Sequence, residues 1–83
     1  MKQLIYFSAT WCGPCNAKKP MMAELQNKFN ITMIDVDQYP DMAAKYSIRS
    51  VPSLLLLKND TVAGQINGQA ITAQGIEDLY TNN

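Results

Sequence analysis

At 83 residues the chain holds enough material for one small hydrophobic core and too little for a second, so residues 1–83 read as a single domain. Hydrophobic residues make up 47% and charged residues 17%, and seven basic residues cancel seven acidic ones. That balance, with no Lys/Arg cluster, argues against a nucleic-acid partner, and the longest apolar run, Leu54 to Leu57, is far too short to cross a bilayer.

The elements follow in chain order. Residues 2–7, with Leu4, Ile5, Tyr6 and Phe7, read as a buried strand. This apolar stretch is too short for the core of a secretory leader and no cleavage site follows it. The expected location is therefore cytoplasmic, where thiols are kept reduced. Ser8-Ala9-Thr10 breaks the run, and Trp11-Cys12-Gly13-Pro14-Cys15 follows. Beyond it, Ala17, Met21, Met22, Leu25 and Phe29 recur at three- and four-residue spacing between polar residues, which predicts one amphipathic helix stopping near Asn30. Pro20 lies inside it and predicts a kink. Residues 31–36 form a second strand, Pro40 opens a short helix to about Tyr46, and Ser53 to Lys58 is a third strand that begins just after a proline. Asn59-Asp60 is a turn signal, and Val62 to Ile66 pairs back as a fourth strand. Thr72 caps a last helix, with Ile71 and Ile76 spaced as a hydrophobic staple and Gly75 as a weak point.

The order strand–helix–strand–helix–strand–strand–helix predicts an α/β domain. Its first two strands are parallel through a right-handed crossover, and its last two form an antiparallel hairpin.

The two cysteines are the only ones in the chain, and there is no histidine. A structural zinc needs four ligands, so within one chain this metal reading fails and only a metal or cluster shared between two chains survives. Haem attachment would need histidine at position 16, which is Asn16. A purely structural disulfide closing so short a loop would contribute only roughly 2 kcal/mol before strain, a poor staple. Redox exchange remains the leading reading. It requires a nucleophilic thiolate, and Cys12, at a helix start, meets unsatisfied N–H groups and the positive end of the helix dipole. Pro14 suits the first helical turn, Gly13 lets the chain enter it tightly, and Cys15 falls one turn inward, placed to attack a mixed disulfide on Cys12.

These residues resemble the thioredoxin family. The pentapeptide at residues 11–15 is identical to that family's active-site motif, and Pro20 stands where it has a helix-kinking proline. Ile48-Arg49-Ser50-Val51-Pro52-Ser53 is similar to its cis-proline loop, and Val36 to Pro40, Leu54 to Asn59 and Gly68 also match. The resemblance spans essentially the whole chain. It implies a minimal thioredoxin fold, βαβαββα, with a four-stranded mixed sheet in the order 2-1-3-4. It further implies a protein-disulfide reductase with Cys12 as nucleophile and Cys15 as resolving thiol, and needing no cofactor beyond that redox-active pair. The protein would act as a monomer on disulfide-containing proteins and be recycled by a thioredoxin-reductase-like enzyme. A cis Val51–Pro52 bond, with Trp11, Gly13, Pro14, Val51 and Gly68, would shape an uncharged substrate groove around Cys12. A glutathione-dependent, glutaredoxin-like enzyme and a thioredoxin-fold binding subunit are the alternatives.

Three departures stand out. The strand and helix that usually begin thioredoxins have no counterpart here. A buried Asp of the family corresponds to Tyr6, and its lysine partner to Met33. A glycine and a threonine flanking the proline loop are Ser50 and Ser53. Losing the carboxylate and lysine together leaves no unpaired buried charge, but it removes a proton acceptor for Cys15. Water or the departing substrate thiol is then expected to take that proton. Asp35 and Asp37 read as surface charges at a strand end, with Asp35 as the alternative proton acceptor.

Overall fold

A computed structural model describes all 83 residues. The strands are β1 (Lys2–Ser8), β2 (Ile31–Asp35), β3 (Ser53–Lys58) and β4 (Thr61–Asn67). The helices are α1 (Gly13–Ala17), α2 (Lys19–Leu25), α3 (Pro40–Lys45) and α4 (Ala73–Thr81), with a single 3₁₀ turn at Gly68–Ala70. The strands form one mixed sheet in the order β2-β1-β3-β4, as the resemblance implies. β1 runs parallel to β2 and antiparallel to β3, and β3 and β4 form the hairpin.

The two central strands explain the runs of apolar residues. β1 and β3 are covered on both faces, so neighbouring residues are buried in opposite directions. Leu4, Tyr6, Leu54 and Leu56 pack with Met22, Phe29, Ile71 and Ile76, under α2 and α4. Ile5, Phe7, Leu55 and Leu57 face the other way, toward Met42 and Tyr46 of the α3 side.

Local chemistry fixes the ends of these elements. Asn59 and Asp60 both have positive φ, 51° and 69°, which suits the tight turn between twisted strands. Thr72 Oγ1 accepts the Gly75 N–H at 2.9 Å, and Ile71 and Ile76 meet in the core on either side of that cap. At the end of α3, Ser47 turns left-handed (φ 55°). The Ile48 N–H then donates to Ala43 O at 2.8 Å and the Ser47 N–H to Ala44 O at 3.1 Å. This is a Schellman closure without glycine, and it sends Ile48 back toward the sheet.

Two expectations are corrected. The single kinked helix is two helices meeting at Lys18, and the second ends at Leu25 rather than near Asn30. Pro20 cannot donate to Asn16, and it sits comfortably in the first turn of a new helix, so the break falls ahead of the proline. Nor is Gly75 only a weak point: a Cβ there would overlap the backbone carbonyl oxygen of Ala70 and lie 3.2 Å from Thr72 Oγ1. The 3₁₀ turn packs so closely on α4 that only glycine fits.

Candidate active site

The site forms where β1 ends and α1 begins. Ser8 closes the strand, Ala9 O accepts the Cys12 N–H at 3.1 Å, and Cys12 caps α1 with extended backbone (φ −90°, ψ 106°). Pro14 sits in the first turn, where its missing N–H costs nothing. Cys12 and Cys15 are joined as a disulfide with Cα atoms 5.2 Å apart.

The sulfur of Cys12 accepts the Cys15 N–H at 3.2 Å. That N–H, at the start of α1, is aimed at the sulfur on which negative charge develops once the disulfide opens. Cys12 Sγ also lies 3.9 Å from the carbonyl oxygen of Val51. Both cysteines pack with Ala9, Val36 and Val51. Cys15 is fully enclosed, whereas Cys12 keeps 5% of its surface open.

The Val51–Pro52 peptide is cis and Pro52 is buried. Ser53 Oγ donates to Ser50 O at 2.7 Å and the Gly68 N–H to Pro52 O at 3.0 Å, so this loop is tied at both ends.

Beside the disulfide lies an open hollow of about 140 Å³, lined by Trp11, Val36, Ile48, Arg49, Ser50 and Val51. Of the residues expected to shape a groove, only Trp11 and Val51 line it. Gly13 and Pro14 are exposed on the helix start, and Gly68, left-handed at φ 55°, supports Pro52 from the 3₁₀ turn that follows β4. Nor is the hollow uncharged, because Arg49 lines it and Asp37 stands beside it. Trp11 is 70% exposed, and its indole N–H donates to Asp37 Oδ2 at 2.8 Å. Asp37 is thus the anchor of Trp11 rather than an idle surface charge. Asp35 Oδ1 accepts the Asp37 N–H at 2.8 Å, which shapes the turn that presents Asp37.

Behind the cysteines, Tyr6 is fully buried, pairs across β1 with Met33 and Leu54, and donates its hydroxyl to Cys15 O at 3.0 Å. Desolvation raises its pKa above 10.0, so the phenol stays neutral and serves as a donor. No buried side-chain nitrogen or oxygen lacks a partner.

A cysteine pair able to close a disulfide, held at a strand-to-helix turn on this sheet, defines a thiol–disulfide oxidoreductase. The thioredoxin family model matches residues 1–81, and the chain belongs to the thioredoxin family. A thioredoxin-like protein of Synechocystis sp. is 36% identical over 80 residues, covering 92% of this chain and 76% of that relative. Thioredoxin of Staphylococcus aureus is 40% identical over 70 residues, covering 80% of this chain and 67% of the relative. Among solved structures, thioredoxin of Schistosoma mansoni superposes with a TM-score of 0.88 at 31% identity, covering 98% of this chain and 77% of that one. Thioredoxin of Fasciola hepatica gives 0.87 at 27% identity, covering 99% and 81%.

Proposed function

We propose that the protein reduces disulfides in other proteins, with Cys12 as the attacking thiol and Cys15 as the resolving one. The observation that carries this order is the asymmetry of the pair. Cys12 alone keeps open surface, and its sulfur receives an N–H, while Cys15 is fully enclosed. The Cys12 thiolate attacks a substrate sulfur, forming a mixed disulfide and expelling the other substrate sulfur as a thiolate. The Cys15 thiolate then attacks Cys12 Sγ, closing the internal disulfide and releasing the second substrate thiolate. Two electrons pass to the substrate, and no bound cofactor takes part.

An extended substrate segment fits along the Val51 backbone beside the cis-proline, with Trp11, Ile48 and Val51 as the apolar wall. The oxidised pair is recycled by a flavin-dependent, thioredoxin-reductase-like enzyme, and the protein works as a monomer in the cytoplasm. A Cys15→Ser variant tests the order of attack: it should accumulate mixed disulfides on Cys12, whereas Cys12→Ser should trap nothing. Turnover of a protein disulfide coupled to NADPH and such a reductase should exceed turnover coupled to glutathione. The reverse preference would make the protein glutaredoxin-like, and partner binding that survives loss of both cysteines, without disulfide turnover, would make it a binding subunit.

A further inference from the structure

Tyr6 is the one buried titratable group that the exchange reaction leaves unused, and it touches the resolving cysteine. Its hydroxyl reaches Cys15 from β1 and is the only side chain of another element that hydrogen-bonds Cys15. The geometry points to Tyr6 as a positioning residue for the resolving step: its hydroxyl clamps the Cys15 carbonyl and so aims the Cys15 sulfur at Cys12. This inference rests on the proposed order of attack.

The need for a clamp follows from the reaction. In the oxidised protein the disulfide itself fixes Cys15 relative to Cys12. In the mixed disulfide that bond is open, so noncovalent ties alone hold the attacking sulfur. The Cys15 backbone then depends on a five-residue helix that breaks at Lys18, on the Lys18 N–H bonding its carbonyl at 3.2 Å, and on Tyr6. Tyr6 is the tie that leads to the rigid centre of the sheet, since β1 is paired on both sides at this level, to Met33 and Leu54.

Tyr6 does not act as a base. Its proton is engaged with the carbonyl, and burial holds that proton more tightly than a free thiol holds its own. Tyr6 packs among apolar side chains from β1, β2, β3, β4, α2 and α4, with the half-buried Tyr80 phenol against the same cluster and Lys2, at the start of β1, donating to the Tyr80 carbonyl at 2.7 Å. The clamp itself neither takes nor gives a proton in the attack.

The test is stopped-flow reaction of the reduced protein with 5,5′-dithiobis(2-nitrobenzoate) between pH 6 and 9. Attack by Cys12 releases one thionitrobenzoate, and resolution by Cys15 releases a second. Cys15→Ser should keep the first release and lose the second, and any other result refutes the order of attack rather than the clamp. Tyr6→Phe keeps the ring, and the Cys15 carbonyl keeps the Lys18 N–H, so the variant folds. We expect its first phase to be unchanged and its second slowed about five- to tenfold by the same factor at every pH. The equilibrium with glutathione should weaken equally, moving the potential about 20–30 mV less negative at 29.6 mV per tenfold. A lowered melting temperature with an unchanged second phase and potential would make Tyr6 merely structural and overturn the inference. A loss of rate that changes with pH would make Tyr6 a proton carrier, and would overturn it too.

Discussion

Gly75→Ala sets helix propensity against packing, and the two predict opposite signs. In the first turn of α4, alanine should beat glycine by about 1 kcal/mol on propensity. Against that, the new Cβ overlaps Ala70 O, a backbone atom already committed to the Thr72 N–H at 3.0 Å and unable to swing aside. Forcing a methyl into such a contact typically costs about 1–3 kcal/mol. The Cβ also crowds Thr72 Oγ1 at 3.2 Å, threatening a cap worth about 1 kcal/mol. The clash wins, with a net loss of about 2 kcal/mol and a melting temperature lower by roughly 8–16 °C for a domain of this size. The displacement also has a route to the active site. The turn that must give way begins at Gly68, whose N–H holds Pro52 O at 3.0 Å beside the cysteines. Urea and thermal denaturation measure the loss, with Gln74→Ala, at an exposed neighbouring position, as the propensity control. A Gly75→Ala protein as stable as the parent, or more so, would refute the packing argument.

Two further outcomes follow from the site. Asp37→Ala removes the acceptor that holds the Trp11 indole, so binding must immobilise a free ring at about 0.5–1.5 kcal/mol. For a protein disulfide kcat/KM should fall about three- to tenfold through KM, while a small aromatic disulfide reacts as before; equal losses on both substrates would count against a docking role for the ring. Raising the pH tests the buried phenol. Because the folded-state pKa of Tyr6 lies above 10.0, the folded protein binds more protons than the unfolded chain in that window. Stability contributed by Tyr6 is full below pH 10 and declines as the pH climbs toward its folded pKa. Denaturant titrations from pH 8 upward should show a decline that Tyr6→Phe lessens, and identical slopes in the two proteins would remove the assignment.

Much of the fold was legible because its determinants are local. The continuous apolar runs of β1 and β3, the Asn59-Asp60 turn, the Thr72 cap and the Ile71–Ile76 staple each act within a few residues of themselves. What stayed hidden depends on distant neighbours. Asp37 looks like any solvated carboxylate until the fold brings it to an indole 26 residues away in the chain. Gly75 looks like a poor helix residue until the 3₁₀ turn is laid against it. Ser47 carries none of the glycine signal that usually marks a left-handed helix end, yet it directs Ile48 and the loop through Val51. That loop, not the motif, decides which residues line the hollow, and this is why Pro14 and Gly68 fall outside it.

The placement of charge links these observations. Every polar tie to the cysteines is made by a neutral group: an amide on Cys12 Sγ, a phenol and an amide on the Cys15 carbonyl. Formal charge begins only at the rim, with Asp37 on the indole N–H and Arg49 along the hollow. A buried carboxylate would couple the exchange to its own titration and would need a compensating partner in the core. A phenol under Cys15 with Met33 beside it needs neither, so the centre can be close-packed. The rim charges remain free to act on the approach of a substrate without altering the sulfur chemistry. Substitutions at Arg49 and Asp37 should therefore change which disulfides are reduced, whereas substitution at Tyr6 should change how fast any of them is released.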